Sequence, residues 1–133
     1  DPKTQVGACI ADTNDRILSV GYNGTPSGLD DDEFPWGTSE DPLFDKHNYV
    51  IHAEANAILN YRGSLKDMQG AKVYVTLFPC QECAKTLVQA GVGEVIYLDD
   101  KYDGTEGNRV SKSVFDRCGI TYRQVRLPED ALV

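Results

Sequence analysis

Short apolar runs separated by polar clusters set the pattern of the chain. "QVGACIAD" and "RILSVGYNG" flank the turn cluster "TND", and two such runs joined this way predict an antiparallel hairpin. A polar segment follows, "TPSGLDDDEFPWGTSEDPLFDKHN", rich in Gly, Pro and acid and without a clear period. A loop that long inside a compact domain is usually functional or mobile. "VIHAEANAILNY" then spaces its apolar residues as a helix does, with Gly63 just past its end. "AKVYVTLF" is apolar almost throughout, which predicts a strand buried on both faces. "PCQECAKTLVQAG" reads as a helix with Pro79 near its first turn and Gly91 after its end. "EVIYLDD" is a second buried strand, "GNRVSKSVFDRCG" a helix ending at Gly119, and "TYRQV" a last strand. Strand and helix alternating in this way predict a layered α/β domain with parallel strand pairs. No internal repeat or domain boundary interrupts the pattern.

Composition narrows the setting. The 133 residues, 41% apolar and 26% charged, fit one soluble globular domain with one core. No apolar run approaches the roughly 18–20 residues that span a membrane, and no secretory signal opens the chain. With 21 acidic and 13 basic residues the net charge is -8. That balance argues against a polynucleotide partner, whose backbone is gripped by basic surface, and leaves room for a local pocket for one phosphate. Of four cysteines, only Cys80 and Cys83 are closely spaced. A reduced, cytoplasmic setting with metal or redox use of that pair fits better than disulfides.

The chemistry concentrates in "HAE" at 52–54 and "PCQEC" at 79–83. Cys80 and Cys83, three apart at a helix start, bring their sulfurs towards one point. The helix N-terminus favours the thiolate form that binds metal. His52, at the start of another helix, completes a donor set suited to zinc. Three protein ligands leave a fourth tetrahedral position for water, the mark of a catalytic zinc, and zinc draws the pKa of such a water from about 16 towards about 7. On a regular helix His52 and Glu54 point to nearly opposite sides. They share a site only beyond the helix end, where the His would hold metal and Glu54 would carry protons. A structural zinc would want a fourth ligand, and neither Cys9 nor Cys118 has ligand-like spacing. A thioredoxin-like role would leave "HAE" without a purpose. H-x-E followed by P-C-x-x-C is the signature of zinc nucleobase deaminases.

"HAEANAI", "TLFPCQECAK" and "QAG" resemble the zinc-dependent cytidine and deoxycytidylate deaminase family. "DPKTQVGACI", "GYNGTPSG" and "DDDEFPW" are similar to its deoxycytidylate (dCMP) deaminase branch. The resemblance implies a three-layer α/β/α fold with a central mixed five-stranded sheet, in a single domain over residues 1–133. The branch's N-terminal helix is missing ahead of Asp1, so an upstream element is expected. It implies that His52, Cys80 and Cys83 hold zinc and that Glu54 shuttles protons. The reaction implied is hydrolysis of dCMP to dUMP and ammonia, supplying dUMP for thymidylate synthesis. Asn23 would contact the deoxyribose and Tyr102 the pocket wall, with Lys3 and Arg109 as phosphate candidates by charge alone. Family members are typically homohexamers activated by dCTP and inhibited by dTTP, with Mg2+ accompanying the triphosphate. Gly21, Gly24 and Gly28 would let effector phosphates approach the backbone; Asp30, Asp31 and Asp32 are read as a solvated acidic run rather than magnesium ligands. His47 alone is not a second metal site. Cys9 is expected as a small buried strand residue and Cys118 as a helix-end residue. Two other readings stand beside this one. The first is a deaminase of dCTP or of another cytosine or purine substrate. The second is a zinc-stabilised binding module without catalysis.

Overall fold

The structure, a computed structural model, describes residues 6–28 and 39–127. The hairpin forms as the pattern predicts: β1 (Gly7–Ala11) pairs antiparallel with β2 (Ile17–Tyr22). Asp12 closes its turn, the carboxylate accepting from the backbone N–H groups of Asn14 and Arg16, each at 2.9 Å. Residues 53–60 form α1 (Ala53–Asn60), which ends with Tyr61 in an extended conformation rather than with a glycine cap. The second half alternates as expected: β3 (Lys72–Leu77), α2 (Gln81–Ala90), β4 (Glu94–Asp99), α3 (Glu106–Arg117) and β5 (Thr121–Gln124). Gly91 ends α2 in the left-handed region, φ 94°, a conformation glycine adopts without a Cβ penalty.

The five strands form one mixed sheet in the order β2-β1-β3-β4-β5. β1 runs antiparallel to both neighbours, while β3, β4 and β5 are parallel. The chain has the three-layer α/β/α fold with this sheet at its centre; the three described helices supply the layer on one face. The register puts Ile10 beside Val73, Val73 beside Val95, and Val75 beside Tyr97. These side chains form the core with Ala57, Ala84, Leu87 and Phe115 from the helices. Phe78 ties the layers together, its ring 4.8 Å from Tyr97, 5.6 Å from Tyr122 and 5.9 Å from Phe115. α1 sits so close to β2 that a Cβ at Gly21 would overlap the backbone of Ala53 and Ala57.

One expectation changes. β3 is buried on one face only, with Val73 and Val75 inside and Tyr74 and Thr76 exposed. Apolar composition alone does not tell an aromatic on the open side of a sheet from one in the core, since Tyr tolerates both. β4, in contrast, buries Val95, Ile96 and Tyr97 in succession, as a strand covered on both sides does.

Because β2, β3 and β4 point the same way, their C-terminal ends gather along one edge. Asn23, Pro79–Cys80 and the turn at 100–105 all leave the sheet there, at the carboxyl ends where open α/β sheets bind ligands. Lys112 of α3 fastens that edge. Its ammonium reaches Asp100 at 2.7 Å and Asp103 at 2.8 Å and lies 5.1 Å from the Phe78 ring centre. Asn108 donates to the other oxygen of Asp100 at 2.7 Å. Replacing Lys112 with Met would leave Asp100, its side chain only 12% exposed, without its cation. Hydrogen bonds to charged groups contribute about 1.5–3 kcal/mol, so urea unfolding of Lys112→Met should show a loss of about 2 kcal/mol, most of it recovered by Lys112→Arg.

Candidate active site

Two helix N-termini meet at the site. His52 is the N-cap of α1 and Cys80 the N-cap of α2, and neither side chain caps its own helix. An N-cap residue leaves the helix in an extended conformation, so its side chain projects past the helix end. Here both project into the same space. His52 Nδ1 lies 3.3 Å from Cys80 Sγ and 3.4 Å from Cys83 Sγ. One ligand atom from each of the three falls within 4.8 Å of the others. Cys83, in the first turn of α2, is 4% exposed, and Glu54, in the first turn of α1, is also 4% exposed. The geometry resolves the puzzle of "HAE": the residue before the helix and the second residue within it both reach the space beyond its end.

Protonation follows from this crowding. The Cys80 thiol is pulled down to about 4, first by the hydrogen bond from Cys83 and then by His52. Cys83 moves the opposite way, because it donates to Cys80 and is buried. His52 is raised by its hydrogen bond to Cys80. Burial raises Glu54 above the ordinary carboxylate range, against the pull of Cys83 and His52. A thiolate, a thiol and an imidazole held at hydrogen-bond distance are a donor set in which protons bridge atoms that a divalent cation would bridge instead. Two sulfurs and one imidazole nitrogen suit zinc, so the residues present fit that metal. Among the described residues this is the one such cluster. His47 stands apart from it, its Nδ1 2.9 Å from Asp45.

The cluster opens onto a cleft of about 930 Å³. His52, Glu54 and Cys80 line it, as do Asn23 and Tyr102. Asn23 closes the sheet edge as well, its side-chain oxygen accepting from Val6 N–H at 3.0 Å. Tyr102 is 52% exposed and its carbonyl accepts from the Thr105 hydroxyl at 2.7 Å. The other candidates lie as follows. Arg109 is exposed on α3 and does not line the cleft, because its helical position turns it outwards from neighbours Asn108 and Val110, which do. Gly21 is buried beneath α1, and that contact accounts for the glycine without an effector. The Gly24 N–H is committed to Ile51 O at 3.0 Å, and its carbonyl accepts from Ile51 N–H at 2.6 Å. Gly28, with φ 95°, is exposed and open. Lys3 and Asp30, Asp31 and Asp32 lie outside the described residues. Cys9 is only half-buried between Val20 and Tyr74, where burial was expected, and Cys118 is the exposed C-cap of α3, as expected.

The sequence reading missed Lys46, Phe78, Thr105 and Asn108, all of which line the cleft. Phe78 could have been found from its place beside "PC". Lys46 lies six positions before His52, a separation that carries no helical or strand period.

Fold and site together define an α/β domain that carries a His–Cys–Cys metal cluster beside a buried carboxyl group. A family model described as "Cytidine and deoxycytidylate deaminase zinc-binding region" matches residues 1–99, and the chain belongs to that family. A probable deoxycytidylate deaminase of Drosophila melanogaster is 51% identical over 130 residues, covering 93% of this chain and 63% of the relative. The deoxycytidylate deaminase of Homo sapiens is 46% identical over 125 residues, covering 93% of this chain and 69% of the relative. The chain therefore spans less than two thirds of the fly protein. The crystal structure of the dCMP deaminase from cyanophage S-TIM5 in complex with dCMP and dUMP matches with a TM-score of 0.69. Its identity is 28%, covering 92% of this chain and 82% of that one.

Removing one ligand should remove the metal. Cys83→Ala is expected to lose one equivalent of zinc per chain, measured by metal analysis. It should also melt at a lower temperature, because metal binding and folding are coupled. A chelator should produce the same shift in the unaltered chain.

Proposed function

We propose that the chain is a hydrolase that deaminates dCMP to dUMP and ammonia. The observation that carries this reading is a buried carboxyl group, Glu54, held against a His–Cys–Cys cluster at the foot of a cleft. The relatives named as deoxycytidylate deaminases support the choice of cytosine nucleotide.

When bound by His52, Cys80 and Cys83, zinc would supply a water made acidic enough to react near neutral pH. The remaining work belongs to the chain. Glu54 accepts a proton from the attacking water, whose oxygen bonds to C4 of the cytosine ring. The carboxyl passes that proton to ring N3, then takes the second proton from the new C4 hydroxyl and gives it to the exocyclic nitrogen. The C4–N bond breaks, a C4 carbonyl forms, and ammonia leaves. A raised pKa suits this exchange, because a carboxyl that both takes and returns protons works best near the operating pH. The start of α1 fixes the Glu54 backbone, and burial keeps bulk water from competing for its proton. Asn23, just past the end of β2, would hydrogen-bond the sugar, and Tyr102 and Phe78 would wall the cleft.

The proposal extends to regulation and assembly as the sequence resemblance suggests: a cytoplasmic homohexamer activated by dCTP and inhibited by dTTP, with Mg2+ accompanying the triphosphate. Of the three glycines considered for that role, Gly21 is covered by α1 and the Gly24 N–H is committed to Ile51 O, while Gly28 is open. No described helix is long and apolar enough to cross a membrane.

Glu54→Gln is nearly isosteric but cannot carry the proton. Ammonia release from dCMP should fall about 10²- to 10⁴-fold, with zinc content unchanged. Wild-type turnover in that variant would remove Glu54 from its role. The same assay with dCTP, deoxycytidine and CMP in parallel tests the substrate, and faster turnover of dCTP than of dCMP would overturn the assignment.

A further inference from the structure

A nucleoside monophosphate brings a phosphate of nearly two negative charges, and the cleft that would receive it is lined by two carboxylates, Glu54 and Glu106. Lys46 is the one Lys or Arg among the described residues that line it. It is also 5% exposed, which is rare for a lysine, because an ammonium taken out of water needs compensating partners. Other nearby cations are engaged elsewhere or turned away. Lys112 is held by Asp100 and Asp103, Lys101 lies over the Tyr102 ring at 5.2 Å, and neither Lys101 nor Arg109 lines the cleft.

The backbone around Lys46 is built to stay in place. It opens the 3-10 turn Lys46–Asn48, which Asp45 caps by accepting from His47 N–H at 3.0 Å. The Lys46 carbonyl accepts from both Tyr49 and Val50 N–H, each at 3.0 Å. The next residue, Ile51, is clamped to Gly24 by the two-way bridge beside Asn23. One short stretch therefore ties Lys46 to the strand end that carries Asn23 and to the helix start that carries His52 and Glu54.

We infer that Lys46 is the phosphate-recognising residue of this cleft, and that its ammonium makes the enzyme select nucleoside monophosphates over nucleosides. The inference rests on the deaminase reading above. A compact charge on a flexible stem suits a terminal phosphate, whose oxygens present acceptors in several directions. Lys46 already engages another group of the protein, so the phosphate enters as a competing partner.

The test compares the zinc-loaded wild-type chain with Lys46→Met on two substrates, dCMP and deoxycytidine. Loss of one charge-assisted contact should lower kcat/KM for dCMP about 10- to 100-fold, through KM, while deoxycytidine changes less than about twofold. Lys46→Arg should recover part of the loss. An unchanged ratio between the two substrates overturns the inference, and so does an equal loss on both, which would make Lys46 a shaping residue only. Lys46→Gln, with a shorter polar side chain, repeats the comparison if the Met variant fails to fold by circular dichroism. Binding of dUMP and deoxyuridine by calorimetry gives a second readout that needs no turnover. Silence of the wild-type chain on dCMP would defeat the proposed function. The calorimetric arm then still decides: dUMP binding that weakens in Lys46→Met while deoxyuridine binding holds supports the phosphate contact, and any other result overturns it.

Discussion

Two helices aimed at one point are the constraint on which this molecule turns. α1 and α2 each begin with a residue that does not cap its own helix. The places where Ser, Thr, Asp or Asn would normally satisfy the first amides are occupied by His52 and Cys80. Each helix gives up a local stabilising bond so that its first side chain can reach the other helix's first side chain. The positive ends of both macrodipoles then face the same small volume. This favours the Cys80 thiolate and a cluster of anionic donors, and makes the two helix starts one unit.

The sheet makes such an aim possible. Three strands running the same way deliver Asn23, Cys80 and the turn after β4 to a single edge. Lys112 joins that turn to α3 and touches the ring of Phe78, which packs against Tyr97, Tyr122 and Phe115. Core and cleft are therefore one piece of packing, and the cleft wall has the rigidity of the core behind it.

Much of this was legible in the chain. Every element of the described α/β pattern was visible as apolar period and turn residues, and the His–Cys–Cys–Glu set stood out by spacing. What stayed hidden depends on contacts between distant segments. Gly21 sits in the "GYNG" run and looked like a backbone kept bare for phosphates, yet the close neighbour is α1, more than thirty positions along. Arg109 had the right charge on the outward side of its helix. Lys46 had the right charge in a segment with no period, so only folding shows that it lies in the wall. The exposure of Tyr74 was hidden for a related reason: strand composition records what a residue tolerates, and the open face of the sheet is decided by which helices pack where.

The close seat of α1 on Gly21 has a consequence for how this chain tolerates inherited change. α1 carries His52 and Glu54 on the end of a rod whose other side is pressed against a strand with no side chain in between. Any side chain at position 21 would lift the rod and pull both residues away from Cys80 and Cys83. An allele at that site would present as a metal-poor protein while altering no atom of the His–Cys–Cys cluster. A survey of loss-of-function variants would therefore find a second sensitive spot on β2, outside the cleft, marking where the lever arm rests.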